Sequence, residues 1–411
     1  MSDNFVHRRN FYIQQIAPFL GKPVVKVITG MRRAGKSFLL RQLMQKLRDD
    51  GMAEQNIVFI DKENLAFDGI RDYRDLDGFV ERALLGVGGR TAVCVDEIQE
   101  VEGWERAVAS WSGKTGRDVI VTGSNARLLS SELATLLSGR YIEFLVRPLS
   151  FAEFLEFRGK GPGAGGGVDE AEFFNYLRYG GMPALHTLGE LSDATTHPYL
   201  NAILNTVLFK DVVARHQIRN VALLERLVRY VFDNAGNLLN ASRVAKFLKG
   251  QRLRVGVDTI IAQLQWLADA HLTERVLLYD LKGKRHLEIN EKHFPVDFGL
   301  RHALLGYRPD DIGGLLENVV FLELRRRGWA VSVGRVGAAE VDFVAERAGG
   351  RAYFQVAYLV PTSETLGREL RPLREIGDNF PKTLLTLERA RTGTLDGIAC
   401  RWLPEWLLEE R

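Results

Sequence analysis

The chain has few cysteines: Cys94 and Cys400 are the only two among 411 residues. Two isolated thiols cannot build a disulfide framework or a cysteine-rich metal cluster. We therefore expect both to be small buried residues in a reducing compartment. The N-terminus has no apolar signal core, and the chain has no run of about 18 apolar residues, as a membrane helix needs. These absences predict a cytoplasmic protein with no membrane contact.

Neither sign of charge dominates the chain. There are 55 Lys and Arg residues against 52 Asp and Glu residues, a formal net charge of +3. This balance excludes a molecule that is basic over its whole surface, so any nucleic-acid contact needs a local basic patch. The eight histidines show no metal-ligand spacing. The length predicts two or three domains.

Short apolar runs alternate with segments of helical spacing between residues 22 and 146. The segment after the first run has leucine or methionine at positions 40, 43, 44 and 47, as an amphipathic helix requires. Short, continuously apolar strands are typical of a parallel sheet buried on both faces. The pattern predicts an α/β fold with these strands: Val24–Ile28, Ile57–Ile60, Thr91–Val95, Asp118–Val121 and Tyr141–Val146.

A phosphate-binding loop follows the first of these strands. Residues 30–37 read Gly-Met-Arg-Arg-Ala-Gly-Lys-Ser and match G-x-x-x-x-G-K-[ST], with a strand before and a helix after. Lys36 would reach the β- and γ-phosphates, and the Ser37 hydroxyl would bind Mg²⁺. The helix N-terminus adds its positive dipole. The predicted nucleotide-binding residues are Gly30, Met31, Arg32, Arg33, Ala34, Gly35, Lys36, Ser37 and Phe38. The GTPase motif Asn-Lys-x-Asp is absent, which favours ATP.

Two further strands end in polar residues. Asp96 and Glu97 follow the apolar run that begins at Thr91. Ligands of open α/β sheets bind at the carboxyl ends of strands, so Asp96 would hold Mg²⁺ and Glu97 would activate the attacking water. Ser124 or Asn125 would contact the γ-phosphate from the next strand, although an ordinary polar turn would give the same pattern.

Arg140, just before the last of these strands, is a candidate for action on another subunit. An arginine that reaches a neighbour's γ-phosphate stabilises charge in the transition state. A surface arginine in an ion pair is the alternative. Near the N-terminus, Arg8, Arg9 and Tyr12 are weaker candidates for a contact with adenine.

Residues 221–295 have the layout of a winged helix, with three helices followed by a β-hairpin. Basic residues cluster on the second helix, after it and at the hairpin tip, and would give salt-sensitive contacts to DNA phosphates. A winged helix that binds protein is the alternative. These basic residues are Lys246, Lys249, Arg252, Arg254, Lys282, Lys284 and Arg285.

Several motifs along the chain resemble one family of ATPases. They are residues 27–37, 95–99, 122–125, 147–154 and 179–183. Together they resemble the AAA_14-type ATPases with a C-terminal domain of unknown function, DUF4143, over nearly the whole chain. The resemblance implies an AAA+ core with Walker A and Walker B motifs. It also implies a ring, expected to be a hexamer, in which Arg140 would act on the neighbouring subunit.

The same resemblance implies a division of the chain. We expect an AAA+ core at 1–157, a helical connector at 168–218, a winged helix at 219–300 and a PD-(D/E)xK nuclease-like domain at 301–411. By resemblance Glu317, Asp342 and Gln355 take the metal-ligand positions, and Ala357 takes the lysine position. A neutral ligand and a missing lysine argue against cleavage, although Asp342 and Glu317 would still offer carboxylates to a metal.

These observations predict an oligomeric AAA+ ATPase that hydrolyses ATP with Mg²⁺ to move along or remodel DNA. One alternative is an ATP-driven switch that acts on a protein partner without DNA. Another is an ATP-dependent nuclease.

Overall fold

The computed structural model describes residues 7–126, 135–137, 139–161, 168–251, 253 and 255–409, and for residues 287–289 the backbone alone. The chain divides into two compact units. The first comprises Met1–Pro148 with Asp269–His271, and the second comprises Leu149–Ala268 and Leu272–Arg411. The division into four segments implied by the sequence remains a prediction.

The first unit is built on a five-stranded parallel sheet, which confirms the predicted α/β fold. Its strands are β1 (Val25–Thr29), β2 (Ile57–Asp61), β3 (Thr91–Asp96), β4 (Arg117–Gly123) and β5 (Tyr141–Leu145). Their order is β2-β3-β4-β1-β5. Thr29 lies opposite both Gly123 and Leu145, and Val95 lies opposite Val121. The carboxyl ends of β1, β3 and β4 therefore meet at one edge of the sheet.

The helices of the first unit pack against a sheet in which β1 and β3 are buried along their whole length. These helices are α1 (Asn10–Ile16), α2 (Lys36–Asp49), α3 (Tyr73–Ala83) and α4 (Trp104–Ser112). On α2, Leu39, Leu40, Leu43 and Leu47 are buried. Each contributes about 2 kcal/mol of burial free energy, so this helix holds the preceding loop firmly against the sheet.

The second unit carries ten helices among its described residues. They are α5 (Phe151–Phe157), α6 (Glu170–Tyr179), α7 (Asp193–Thr206), α8 (Val221–Asp233), α9 (Ala241–Gly250), α10 (Val257–Asp269), α11 (Phe298–Leu305), α12 (Ile312–Arg326), α13 (Ser363–Arg374) and α14 (Leu403–Trp406). A π-helical segment, Val207–Ala214, continues α7. Asn240 caps α9 by accepting from Ser242 N at 2.9 Å, so Ser242 lies inside the helix.

A mixed nine-stranded sheet forms the rest of the second unit. Its strands are β6 (Leu238–Leu239), β7 (Thr273–Asp280), β8 (Arg285–Pro295), β9 (Ala330–Val336), β10 (Ala339–Arg347), β11 (Gly350–Ala357), β12 (Lys382–Thr386), β13 (Gly393–Leu395) and β14 (Ile398–Trp402). The order is β13-β14-β12-β11-β10-β9-β7-β8-β6. Because β7 pairs in parallel with β9, the predicted hairpin and the C-terminal strands share one sheet.

The Gly180-Gly181 pair has a structural role beside Asp297. The buried Asp297 carboxylate accepts from Gly181 N at 2.7 Å and from Leu300 N at 3.0 Å. A Cβ at Gly180, whose φ is +79°, would collide with this carboxylate. Burial raises the pKa of Asp297 to about 6, against the lowering effect of these donors. The motif therefore allows a close approach of the backbone to a buried acid.

Both cysteines are buried, as the sequence predicts. Burial raises the pKa of Cys94 to about 12, so this thiol stays protonated.

Across the described ranges, no helix has the length and apolar character that crossing a membrane requires.

Candidate nucleotide-binding site

The predicted phosphate loop lies between β1 and α2 in a conformation that depends on glycine. Gly30 has φ +142°, and a Cβ there would collide with the carbonyl oxygen of Val146. Gly35 has φ +99° and directly precedes α2. These two positions are the glycines that the motif requires, and the backbone geometry explains why each of them is glycine.

Arg9 and Tyr12 hold this loop from within the first unit. Arg9 is buried, and its guanidinium donates to Ala34 O and to Arg147 O, each at 3.0 Å. The Tyr12 hydroxyl accepts from Arg147 N at 3.0 Å. Both side chains are therefore engaged with the backbone around the loop, and this geometry gives no support to their predicted contact with adenine. Arg8 is exposed.

Lys36 joins the loop to the end of β3. Its side chain is buried, and Nζ donates to Met31 O at 3.2 Å. The same nitrogen lies 3.5 Å from Glu97 Oε1. The structure thus brings together the lysine and the carboxylate that the sequence predicts for one site.

The other predicted loop residues differ in exposure. Met31 and Ala34 are buried, whereas Arg33 is exposed and Phe38 is 58% exposed. Arg32 is buried and pairs with Glu63 at 2.7 Å. The Phe38 side chain at the start of α2 is therefore far more exposed than the side chains of Met31 and Ala34.

Asp96 and Ser37 are in hydrogen-bond contact. Burial raises the pKa of Asp96, although hydrogen bonds from Thr122 and Ser37 oppose that shift. Thr122 Oγ1 donates to Asp96 and accepts from Glu97 N at 3.1 Å. A buried carboxylate beside a hydroxyl is a pair of oxygen ligands that fits Mg²⁺, and a cation would relieve the cost of burying the charge.

Glu97 is buried in an uncommon backbone conformation, with φ 51° and ψ 50°. A left-handed residue other than glycine costs about 1–3 kcal/mol and is frequent at functional sites. Burial raises the pKa of Glu97, but Lys36, the hydrogen bond from Gln99, and Arg32 together lower it. Glu97 is thus a buried carboxylate that stays ionised.

Ser124 and Asn125 are both buried at the end of β4. Gln99 connects Ser124 to the rest of the site, because its Nε2 donates to Glu97 and lies 3.4 Å from Ser124 Oγ. Sequence reasoning assigned no role to Gln99 or Thr122. The available signal was their proximity in sequence to Glu97 and Ser124.

Arg140 lies at the opposite end of the sheet from its own phosphate loop. Its carbonyl accepts from Val25 N at 2.9 Å, at the start of β1. The loop follows the other end of this five-residue strand, about 16 Å away. The exposed Arg140 is therefore placed away from its own chain's loop.

The comparisons agree with this geometry. The AAA_14 family, described as an AAA domain, matches residues 22–155, and the domain of unknown function DUF8612 matches residues 170–311. An uncharacterized protein of Haemophilus influenzae is 35% identical over 409 residues, which cover 100% of both chains. This chain belongs to the family of AAA_14 P-loop ATPases with a C-terminal DUF8612 domain. The AAA_14 domain contains the loop and both acidic residues, and membership in a P-loop ATPase family implies nucleotide binding.

More distant proteins are similar to this AAA_14 ATPase over part of its length. An uncharacterized protein of Methanocaldococcus jannaschii is 29% identical over 310 residues, 74% of this chain and 67% of the other. A solved Walker-type ATPase of Pyrococcus abyssi covers 74% of this chain and 97% of its own, with a TM-score of 0.51 and 15% identity. That likeness shows a shared fold. The family model that matches the C-terminal part of the chain is DUF8612, whereas the sequence motifs resemble the DUF4143 family.

The second unit of this AAA_14 ATPase contains an ionic cluster around a buried lysine. Lys292 of β8 is 1% exposed, and its Nζ lies 2.9 Å from Glu317 Oε2 and 2.7 Å from Glu340 Oε1. Nearby, Asp342 Oδ2 accepts from Val356 N at 2.7 Å, and Asp342 N donates to Gln355 Oε1 at 3.3 Å. The structure thus gathers the predicted ligand positions and adds a lysine from a distant strand, which the sequence pattern did not reveal.

This cluster does not fit a divalent metal. Within the described parts of the chain, no three His, Cys, Asp or Glu side chains are arranged to hold a metal ion. The Lys292 ammonium lies between Glu317 and Glu340. Burial lowers the pKa of Lys292, but the nearby carboxylates of Glu317, Asp342 and Glu340 outweigh it and raise the value. Burial and Glu317 raise the pKa of Asp342 well above its usual value. The ammonium therefore occupies the space between two carboxylates and offsets part of their charge.

Exposed basic residues of the second unit lie on α9 and at the tip of the β7–β8 hairpin. Lys246 and Lys249 are exposed on α9, while Arg252 and Arg254 lie outside the described residues. At the tip, Lys282, Lys284 and Arg285 are exposed, and Arg335 joins them because Leu281 N donates to its carbonyl at 3.0 Å. By contrast, α10 contains two aspartates and no lysine or arginine.

Proposed function

We propose that this protein hydrolyses ATP with Mg²⁺ and uses the energy to move along or remodel DNA as an oligomeric AAA+ ATPase. One observation carries the catalytic part of the proposal. Lys36, Ser37, Asp96 and Glu97 come from two separate elements and converge in a buried site at the carboxyl edge of a parallel sheet. Open α/β sheets bind ligands at this edge.

Each residue of this site has a distinct proposed role. The loop backbone and Lys36 bind the β- and γ-phosphates, with Ser37 and Asp96 holding Mg²⁺. Bound there, Mg²⁺ would neutralise charge on the phosphate oxygens. Glu97, kept ionised, accepts the proton of the attacking water. Ser124 or Asn125 contacts the γ-phosphate from the end of β4.

The position of Arg140 supports assembly. This exposed arginine is about 16 Å from its own loop, so any contact with a γ-phosphate requires another subunit. We propose a ring, as in hexameric AAA+ proteins, in which each Arg140 completes the neighbour's site. The transition state of phosphoryl transfer gains stabilisation from such an added positive charge.

The basic groups on α9 and the hairpin support binding to DNA phosphates. The third helix of the expected winged helix, α10, has no Lys or Arg with which to contact DNA. The proposed contact therefore uses the DNA backbone and is independent of sequence. Such binding weakens as salt rises, since phosphate contacts release counterions. We place these contacts in the winged helix and nuclease-like segments expected from the sequence.

The exposed face of α10 favours a second candidate, an ATP-driven switch that acts on a protein partner. Val257 is 38% exposed and Ile261 is 54% exposed on this helix. Apolar surface without positive charge suits a protein contact better than a DNA contact. The buried Lys292 cluster argues against the ATP-dependent nuclease, so we do not propose cleavage.

One experiment separates the two candidates. ATP turnover by the full-length protein is measured alone and with linear, single-stranded and branched DNA, each at low and moderate salt. Stimulation that fades with salt supports the DNA-directed ATPase. Clear basal turnover with no response to any DNA supports the protein-directed switch, and no turnover under any condition contradicts the proposed ATPase.

A further inference from the structure

Gln99 links the candidate catalytic carboxylate to the end of the neighbouring strand. It lies in the short turn Ile98–Glu100 directly after Glu97. Its Nε2 donates to Glu97 Oε2 and lies 3.4 Å from Ser124 Oγ. Among the described residues nothing donates to its buried Oε1. Donation to a carboxylate fixes which side of the amide faces Glu97.

The Glu97 carboxylate is thus held on both oxygens, by partners of different kinds. Gln99 donates to Oε2, while Lys36 Nζ lies 3.5 Å from Oε1. In the proposed function, the phosphates of ATP attract Lys36 and draw its charge away from Glu97. Gln99 has no charge to satisfy, so its hydrogen bond to Glu97 persists when nucleotide binds. Ser124 also makes a side-chain hydrogen bond to Glu97, so Gln99 and Ser124 then restrain the carboxylate together.

We infer that Gln99 is a positioning residue that holds Glu97 for proton abstraction, an inference that rests on the proposed ATPase function. Oε2 stays bound to Gln99, and Oε1, released by Lys36, accepts a proton from the attacking water. The water oxygen forms a bond to the γ-phosphorus. The bond from that phosphorus to the bridging oxygen breaks, and ADP leaves with the electron pair. The contact of Gln99 with Ser124 aligns this carboxylate with the end of β4.

The test uses Gln99→Met in the full-length protein, which removes the donor and keeps the side-chain length. A hydrogen bond to a charged group contributes about 1.5–3 kcal/mol, so we expect kcat for ATP to fall by about 10- to 100-fold. KM and the affinity for a non-hydrolysable ATP analogue should stay within about twofold, because the lost contact acts on the chemical step. Gln45→Met on α2 is the matched control, since Gln45 donates to the surface residue Asp49 at 2.9 Å.

A double-mutant cycle distinguishes positioning from a structural role. If Gln99 acts through Glu97, adding Gln99→Met to Glu97→Gln should lower the residual turnover no further. Gln99→Glu replaces the donor with a like charge and should show the same loss of kcat, so it serves if Gln99→Met does not fold. A kcat for Gln99→Met within twofold of wild type would overturn the inference, as would an equal loss in both backgrounds.

Failure of the proposed function would look different. If wild-type protein does not hydrolyse ATP, or if Glu97→Gln turns over like wild type, the assignment of the site is wrong and the inference falls with it. If wild-type protein hydrolyses ATP and Glu97→Gln impairs turnover, but Gln99→Met behaves like wild type, the inference alone is wrong.

Discussion

Lys36 Nζ lies 3.5 Å from Glu97 Oε1, so the lysine of the phosphate loop and the carboxylate after β3 form a buried ion pair. Each balances the charge of the other in a site where both are less than a tenth exposed. A nucleotide that competes for Lys36 would therefore also change the electrostatic environment of Glu97. The ion pair therefore couples nucleotide binding to the electrostatic environment of Glu97, the candidate base.

Replacing Lys36 with alanine should severely reduce ATP turnover. The change removes the proposed charge on the β- and γ-phosphates, and loss of one such stabilising group costs about 10²- to 10³-fold in kcat. Steady-state ATPase assays measure the effect. Lys46→Ala on the same helix, where Lys46 pairs with Asp50 at the surface, is the control. Unchanged ATP turnover by Lys36→Ala would contradict the assignment of this loop as the ATP-binding site.

Mixing two inactive variants should restore part of the ATPase activity. Lys36→Ala has a defective site but an intact Arg140, whereas Arg140→Ala has an intact loop but no arginine to offer a neighbour. In a mixed ring some intact loops face an intact Arg140, so we expect turnover above that of either variant alone. Assays across mixing ratios measure this gain. Its absence, in rings shown to exchange subunits, contradicts the proposed action of Arg140 across the subunit interface.

Asp118→Asn should strongly destabilise the first unit. Asp118 pairs with Lys26, and both side chains are almost fully buried in the sheet. Removing one partner of a buried ion pair leaves an uncompensated charge and costs about 3–5 kcal/mol. Urea unfolding of the first unit measures the loss. Asp50→Asn, which breaks the exposed pair with Lys46, should cost less than about 1 kcal/mol. Similar losses for the two variants would contradict the prediction.

The stability of the second unit should depend on pH through Asp297. Its pKa is raised to about 6 from an ordinary value of 3.8, so the unfolded chain loses this proton first as pH rises. The free energy of unfolding contributed by Asp297 therefore falls between about pH 4 and 6, by about 3 kcal/mol. Asp297→Asn should lack this slope. Chemical unfolding of both proteins at pH 4, 5, 6 and 7 tests the difference, and parallel curves would contradict it.

The Lys292 cluster should bind no divalent metal. Because the ammonium already pairs with Glu317 and Glu340, we expect wild type and Asp342→Asn to bind the same number of Mn²⁺ ions in titrations followed by electron paramagnetic resonance. DNA incubated with Mg²⁺ or Mn²⁺ should remain uncut. Loss of one bound ion in Asp342→Asn would show that the cluster holds a metal after all. Lys292→Met should be destabilised, since it leaves carboxylates without their cation.

Local patterns determined much of the first unit. The loop motif between an apolar strand and an amphipathic helix is contiguous, so backbone conformation and helix spacing follow from neighbouring residues. The same holds for Asp96 and Glu97 at the end of β3. The parallel sheet and its acidic edge could therefore be predicted from the chain alone, as could the burial of both cysteines.

The tertiary structure decided which distant residues meet. Gln99 reaches Ser124, Arg9 supports the phosphate loop, and Lys292 enters the carboxylate cluster across separations that carry no periodic signal. The pairing of β7 with β9 likewise joins a hairpin to strands more than 50 residues later in the chain. Sequence patterns report the preferences of neighbouring residues. Partnerships over long separations depend on how whole sheets and helices pack, and only the folded chain specifies that.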